Sequence, residues 1–169
     1  MRTLLFRSIF EDTATTKAPD ASEQALQELG RRVDKSSRKL LGHSLAIREV
    51  DAGSCNGCEL EIHAIENAVY DVSRFGIRFA ASPRHADVLL VTGPVTFNMK
   101  TALERTYAAM PAPKWVIAAG DCACNGCVFN DSYACAGSID KVLPVDLHIP
   151  GCPPSPKDLL KGLLALMSV

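Results

Sequence analysis

The sequence lacks any excess of charge, any long apolar run and any phosphate-binding loop, and each absence removes a class of function. Eighteen Lys and Arg stand against nineteen Asp and Glu, a net charge of −1, so there is no bulk positive field to hold nucleic acid or an anionic membrane. The longest apolar stretches, around residues 88–91 and 159–167, are short or interrupted by Lys161 and Gly162, whereas a membrane helix needs roughly 20 apolar residues. A soluble chain is expected. Arg7, Glu11 and Asp12 break up the first residues, and Arg31-Arg32 is followed by polar VDKSSRK, so neither start fits an export signal. There is no Gly-x-Gly-x-x-Gly, no Gly-x-x-x-x-Gly-Lys-Ser/Thr and no Gly-x-Ser-x-Gly, which leaves no basis for direct nucleotide binding or a nucleophile elbow. His43, His63, His85 and His148 show no metal-ligand spacing. Internal repeats and low-complexity tracts are also missing.

What is present is an ordinary globular balance, 47% hydrophobic and 22% charged over 169 residues, enough to bury roughly 70% of the unfolded surface in one domain. Two parts are expected. Residues 1–42 read as an N-terminal arm, polar over 11–22, followed by an amphipathic helix over 25–41 with Leu26, Leu29, Val33 and Leu40 near one face. The basic cluster Arg31, Arg32, Lys35, Arg38 and Lys39 on that helix is either a solvated face or a dock for an acidic partner surface. Residues 43–169 read as the α/β domain itself. Short apolar runs at 45–50, 77–80, 88–92, 115–119 and 145–149 alternate with helical segments at 59–70, 98–109 and 155–167, the pattern of βα units and a parallel sheet. Ser155, Pro156 and Asp158 give the last helix a cap, a first-turn proline and a capping-box spacing. Phe97, Met99 and Tyr107 are expected in the core.

Seven cysteines without an export signal point to a reducing compartment, where thiols serve as ligands or catalysts more often than as disulfides. Three expected strands run straight into cysteine-bearing loops, GSCNGC after 45–50, GDC after 115–119 and PGCPP after 145–149. The loops beyond the carboxyl ends of parallel strands share one edge of the sheet, so Cys55, Cys58, Cys122 and Cys152 are expected to meet. Four thiolates are the set that one [4Fe–4S] cluster requires. Gly53, Gly57, Gly120 and Gly151 are expected to turn with positive φ and let backbone approach the sulfurs, Pro150, Pro153 and Pro154 to stiffen the third loop, and a helix end near Glu59 to favour thiolate at Cys58. A Cys-x-x-Cys pair taken alone is also compatible with zinc, redox activity or chance. Cys124, Cys127 and Cys135 are surplus, either buried inert thiols or alternative ligands, including a zinc site with Cys55 and Cys58. Glu59, Glu61 and Asp121 flank the loops as dipole partners or as proton relays.

These motifs, Ser54-Cys55-Asn56-Gly57-Cys58-Glu59-Leu60-Glu61, Gly120-Asp121-Cys122 and Val145 through Pro154, together with the segment 86–96, resemble the small electron-transfer subunit shared by [NiFe] hydrogenases and respiratory complex I, over about residues 44–165. The resemblance implies a flavodoxin-like open parallel sheet with flanking helices, and one [4Fe–4S] cluster on Cys55, Cys58, Cys122 and Cys152. Complex I subunits of this type carry adjacent cysteines at the first motif, so the Cys-x-x-Cys here is similar to the hydrogenase side. With no twin-arginine signal and no cysteine-rich domain after Cys152, the nearest likeness is the single-cluster subunit of membrane-bound, complex-I-like hydrogenases of the formate hydrogenlyase or hydrogenase-4 type. Where that family often has Gly after its third cysteine motif, this chain has Cys124 and Cys127. The implied role is a non-catalytic redox subunit relaying electrons between a ferredoxin-like iron–sulfur subunit and a NiFe-type large subunit, joined to membrane-arm subunits and so peripheral on the cytoplasmic face of the inner membrane. Two alternatives stand beside it: the cluster subunit of a complex-I-type NADH:quinone oxidoreductase adjoining a quinone site, and a zinc-stabilised binding module without redox function.

Overall fold

The computed structural model describes residues 23–167; the expected arm over 1–22 lies outside the described residues. The chain runs α1 (Glu23–Leu41), β1 (Ala46–Asp51), α2 (Gly57–Ile65), a 3-10 turn (Val72–Phe75), β2 (Arg78–Phe79), β3 (Val88–Thr92), β4 (Val95–Thr96), α3 (Phe97–Ala109), β5 (Trp115–Ala119), α4 (Asp121–Asn125), β6 (Cys135–Gly137), β7 (Leu147–Ile149) and α5 (Pro156–Leu166). Five strands form an all-parallel sheet in the order β2-β1-β3-β5-β7. Counting only the strands of that sheet, this is the 2-1-3-4-5 order of flavodoxin-like folds, whose chain reverses direction across the sheet between the first and third strands.

Side-chain alternation divides the sheet into two apolar layers. Ile47, Val88, Leu90, Ile117 and Ala119 point to one face, where α1, α2 and α5 supply Val33, Ile62, Ile65, Leu159, Leu160 and Leu163. Val50, Leu89, Val91, Val116 and Ala118 point to the other, covered by Leu103 of α3, Ala123 of α4 and Ile139. All of β3 is buried, which is why its sequence is a continuous apolar run rather than an alternating one. At the amino ends, two aspartates tie neighbouring strands together: the Asp87 carboxylate accepts the Ala46 N–H at 2.9 Å and the Asp146 carboxylate accepts the Val116 N–H at 2.7 Å. The α5 start is the expected one, with the Ser155 hydroxyl accepting the Asp158 N–H.

Several expectations are corrected. The helix placed over 59–70 begins at Gly57 and stops at Ile65, because the Asn67 side chain takes the Val69 and Tyr70 N–H groups and so competes with helical bonding. Leu40 is 48% exposed; the inward stripe of α1 is Gly30, Val33 and Ser37, with Leu29 and Leu41 half-buried. Arg31, Arg32, Lys35, Arg38 and Lys39 are all exposed. Phe97 is 55% exposed rather than in the core, while Met99 and Tyr107 do pack against it. The segment after β5 forms the short helix α4, and β4 pairs antiparallel with β6 in a small ribbon. Among the described residues no helix is long and apolar enough to cross a membrane.

Candidate functional site

The three cysteine-bearing loops meet at the carboxyl edge of the sheet. A cavity of about 120 Å³ there is lined by Cys55, Cys58, Cys122 and Cys152 together with Gly57, Gly93, Gly151, Ser54, Asp121 and Pro153. Each loop is held by hydrogen bonds made before any ligand is considered. In the first, the Asp51 carboxylate accepts the Gly53 and Ser54 N–H groups at 2.7 and 2.6 Å, and the Ser54 hydroxyl accepts the Asn56 N–H. Ala52 is tied to the β3–β4 turn through Thr92 and Thr96. The second and third loops are stitched to each other: Gly120 N–H donates to Ile149 O at 2.8 Å, Asp121 N–H donates to Gly151 O at 2.9 Å, and Gly151 N–H donates back to the Asp121 carboxylate at 2.8 Å. Asp121 is therefore a clamp between loops, a role that no local feature of the sequence reveals.

Gly120 is where one cysteine loop packs directly on the sulfur of another. It has φ +93°, and a Cβ there would lie 2.6 Å from the Cys58 Sγ, closer than any side chain can sit beside a sulfur. The absent side chain is what lets Cys58 from one loop press against the backbone of another. Gly53 and Gly151 take positive φ as expected, but in the first loop the left-handed residue next to the helix is Asn56, at φ 70°, and not Gly57.

Electrostatics corrects a second expectation. Cys58 lies within the first turn of α2, yet its thiol is pushed up to about 12, by burial first and then by Glu59 and the thiols of Cys55, Cys122 and Cys152. These outweigh the favourable helix end. Cys122 is pushed up to about 11 by burial, by Cys127 and by Cys152 and Cys55. A site that raises Cys58 and Cys122 in this way needs positive charge in its midst for their deprotonated state. Glu59 is buried with both carboxylate oxygens unpartnered, and it helps burial raise Glu49 on β1.

The surplus cysteines separate. Cys124 turns away from the cavity, its thiol towards Ala118 O at 3.5 Å and Ile149 O at 3.8 Å, and burial pushes it up to about 11. Cys135 is half-buried in β6. Cys127 is exposed and is among the groups that raise Cys122, so it is not a buried inert thiol. Among the described residues no three His, Cys, Asp or Glu side chains are arranged about a single-ion position. The four thiols share the lining of one cavity.

Fold and site together define a flavodoxin-like α/β domain with a four-thiol cavity at its strand-end edge. Comparison with known proteins gives the family: residues 55–166 match the family described as NADH ubiquinone oxidoreductase, 20 Kd subunit, and the chain belongs to that family. It is 45% identical over 126 residues to a probable membrane-bound hydrogenase subunit of Pyrococcus furiosus, covering 75% of both chains. It is 46% identical over 124 residues to formate hydrogenlyase subunit 7 of Escherichia coli, covering 73% of this chain but only 49% of that one. An NADH-quinone oxidoreductase subunit of Heliobacterium modesticaldum is 48% identical over 110 residues, 64% of this chain and 63% of that one. Among solved structures, a chain of the membrane-bound sulfane sulfur reductase, an archaeal respiratory membrane complex, superimposes with a TM-score of 0.67 at 36% identity over 82% of this chain and 74% of that one. A chain of an NAD+-reducing [NiFe]-hydrogenase, at 18% identity and a TM-score of 0.60 over 75% of this chain and 92% of that one, shares the fold.

Proposed function

We propose that the chain holds one [4Fe–4S] cluster on Cys55, Cys58, Cys122 and Cys152 and passes electrons between partner subunits of a membrane-associated oxidoreductase, with residues 43–169 as the cluster-binding unit. The observation that carries this is the meeting of those four thiols, from three strand-end loops, around one cavity. The donor chemistry fits: Cys58 and Cys122, raised by burial and then by neighbouring acidic side chains and thiols, are suited to a cationic iron core, and glycine at position 120 leaves room for sulfur and nothing more. When bound, such a cluster takes up and releases single electrons at a potential set by charge, hydrogen bonding and burial.

The chain's own residues do the positioning. Asp121 and Gly151 lock two loops in register, so that Cys122 and Cys152 both line the cavity with little ordering left to do. Cys55 and Cys152 are exposed and Cys58 and Cys122 half-buried, so the site opens on one side to a partner and is closed on the other by protein. Electron exchange then requires partners in contact with this edge: a NiFe-type large subunit and a ferredoxin-like iron–sulfur subunit, assembled on membrane-arm subunits at the cytoplasmic face of the inner membrane. The Cys-x-x-Cys spacing favours the hydrogenase type. Identities of 48% and 51% to two NADH-quinone oxidoreductase subunits support a second assembly, in which the large subunit is quinone-linked.

Anaerobic purification tests the proposal. A brown protein with about four irons and four sulfides, and a one-electron paramagnetic signal on reduction, is expected. A colourless protein with stoichiometric zinc would show a structural zinc module instead. Co-purification of a large subunit carrying two Cys-x-x-Cys pairs distinguishes the hydrogenase assembly from the quinone-linked one.

A further inference from the structure

The end of the sheet opposite the thiols carries a second hollow, of about 390 Å³, with a basic rim. It is bordered by His43 from the link between α1 and β1, Arg78 from β2, Arg84 and His85 from the 3-10 turn Pro83–His85 that precedes β3, and Pro111 from the link between α3 and β5. The backbone beneath these side chains is fixed: Arg78 N–H donates to Leu45 O at 3.0 Å, and His85 N–H donates to Ser82 O at 3.2 Å. The acid in the lining, Asp87, is already engaged, with one carboxylate oxygen accepting the Ala46 N–H at 2.9 Å and the other 3.6 Å from His43 Nε2. Arg78, Arg84 and His85 are exposed, and among the described residues their side chains have no hydrogen-bond or ion-pair partner. Two unpaired guanidinium groups therefore border one concavity. The net charge of −1 over the whole chain conceals this local excess.

We propose that the amino-edge hollow is a binding site for a phosphate group, held by Arg78 and Arg84 with His85 as a further donor. Guanidinium forks match phosphate oxygens two at a time. The shape of the ligand follows from where the donors originate. Arg78 and Arg84 come from different segments, and a tetrahedral oxyanion offers acceptor oxygens in several directions, whereas a planar carboxylate offers two in one plane. Asp87, tied to Ala46 and His43, does not take up either guanidinium, so both charges are left for the ligand. Two sources carry this chemistry, a soluble phosphate ester and the headgroup of an anionic phospholipid, to which clustered basic side chains bind by the same attraction. The site is independent of the thiol cavity. The five-residue strands β3 and β5, at about 3.3 Å per residue, hold the two ends apart, so the hollow fills whether or not iron is bound.

Calorimetric titration of the full chain with inorganic phosphate, at ionic strength held constant with chloride, tests the site. Saturable binding is expected. Arg78→Ala combined with Arg84→Ala should weaken it at least tenfold, while Arg31→Ala combined with Lys35→Ala, which removes the same charge from the exposed face of α1, should change it less than twofold. Acetate at the same ionic strength should not compete. A parallel arm sediments the chain with phosphatidylcholine vesicles prepared with and without phosphatidylglycerol. Retention that requires phosphatidylglycerol and is lost in the Arg78 and Arg84 variant, but kept in the Arg31 and Lys35 variant, assigns the phosphate to a headgroup; phosphate binding without retention assigns it to a soluble ester. Absence of both saturable phosphate binding and arginine-dependent retention overturns the proposal. Equal weakening in the two paired variants also overturns it, since net charge and not the hollow would then be the cause. Competition by acetate overturns the phosphate class and makes the hollow a seat for the carboxylates of an acidic peptide.

Discussion

The two edges of the central sheet make opposite kinds of site. The amino edge has the larger hollow, about 390 Å³ bordered by His43, Ser44, Arg78, Arg84, His85, Asp87 and Pro111, and its Arg78, Arg84 and His85 reach towards solvent. The carboxyl edge has about 120 Å³ bordered by thiols, glycines and a proline. At the amino edge, the long side chains around the hollow must be ordered when anything binds, each at up to about 2 kcal/mol of rotamer entropy. At the carboxyl edge, the ordering is already done by backbone: Asp51, Asp121, Gly151 and Ile149 fix the loops through main-chain groups. The short thiol side chains have little freedom left to lose. Pre-organisation, and not volume, separates the candidate site from the other hollow.

The sharpest way to break the comparison is to remove lining side chains from each edge. Cys152→Ser should abolish cluster retention and, with it, assembly into the larger complex, read by iron content and by co-purification of partners. The paired substitution Arg78→Ala with Arg84→Ala should leave iron content unchanged. Cys135→Ser, away from the cavity, should alter stability by less than about 0.5 kcal/mol and keep the iron. Loss of iron in Cys135→Ser and its retention in Cys152→Ser would mean that the thiol assignment is wrong.

Next in size is Gly120→Ala. The new methyl meets the Cys58 Sγ at 2.6 Å, on a backbone at φ +93°, so strain of about 1–3 kcal/mol adds to overpacking of about 1–3 kcal/mol, and iron uptake should fall even where the chain folds. Gly42→Ala is the control. It has φ +75° but nothing within 4 Å of the added methyl, so only the backbone penalty of about 1–2 kcal/mol remains, measurable as a denaturation midpoint shift with iron uptake intact.

Much of this architecture could be read from the chain, for identifiable reasons. The runs at 88–92 and 115–119 match β3 and β5 to the residue, since a strand buried on both faces is written as an unbroken apolar run closed by Gly. The meeting of the three loops follows from topology alone, because parallel strands deliver all their carboxyl-end loops to one edge. What could not be read depends on partners remote in sequence. Asp121 looks like a first-turn helix acid until Gly151, thirty residues on, is seen donating to it. Asn67, which ends α2 early, is indistinguishable locally from a polar helix residue. Cys127 is one of three surplus thiols in the sequence, and only the left-handed turn at Gly126 and Cys127 shows that it is exposed where Cys124 is half-buried.

A smaller effect compares the two aspartates that tie strands or loops at opposite edges. Asp87→Ala removes the acceptor for Ala46 N–H, and Asp121→Ala the acceptor for Gly151 N–H. Each should cost about 1–3 kcal/mol of stability, the value of a part-buried hydrogen bond to a charged group. Their consequences for the site should differ. Asp121→Ala loosens two thiol-bearing loops and should slow iron uptake, whereas Asp87→Ala should leave the uptake rate untouched at matched stability.

The mildest expected effect concerns Glu49, on the β1 strand that leads into the first cysteine loop. Burial first, and then Glu59, hold its carboxyl above the ordinary value of 4.5, against the lowering influence of His63 and Arg48. The folded chain therefore binds the Glu49 proton more tightly than the unfolded chain does. Its contribution to stability is full below the unfolded pKa and is lost as pH rises through the folded one. Glu49→Gln keeps the shape without the charge, so it should be more stable than the parent near neutral pH, with the difference shrinking as pH falls towards 4.5. Urea midpoints measured across that window check it. An advantage that grows on acidification would mean that Glu49 is held as a carboxylate by its neighbours, making this strand-end acid a paired group like Asp87 rather than one strained by burial.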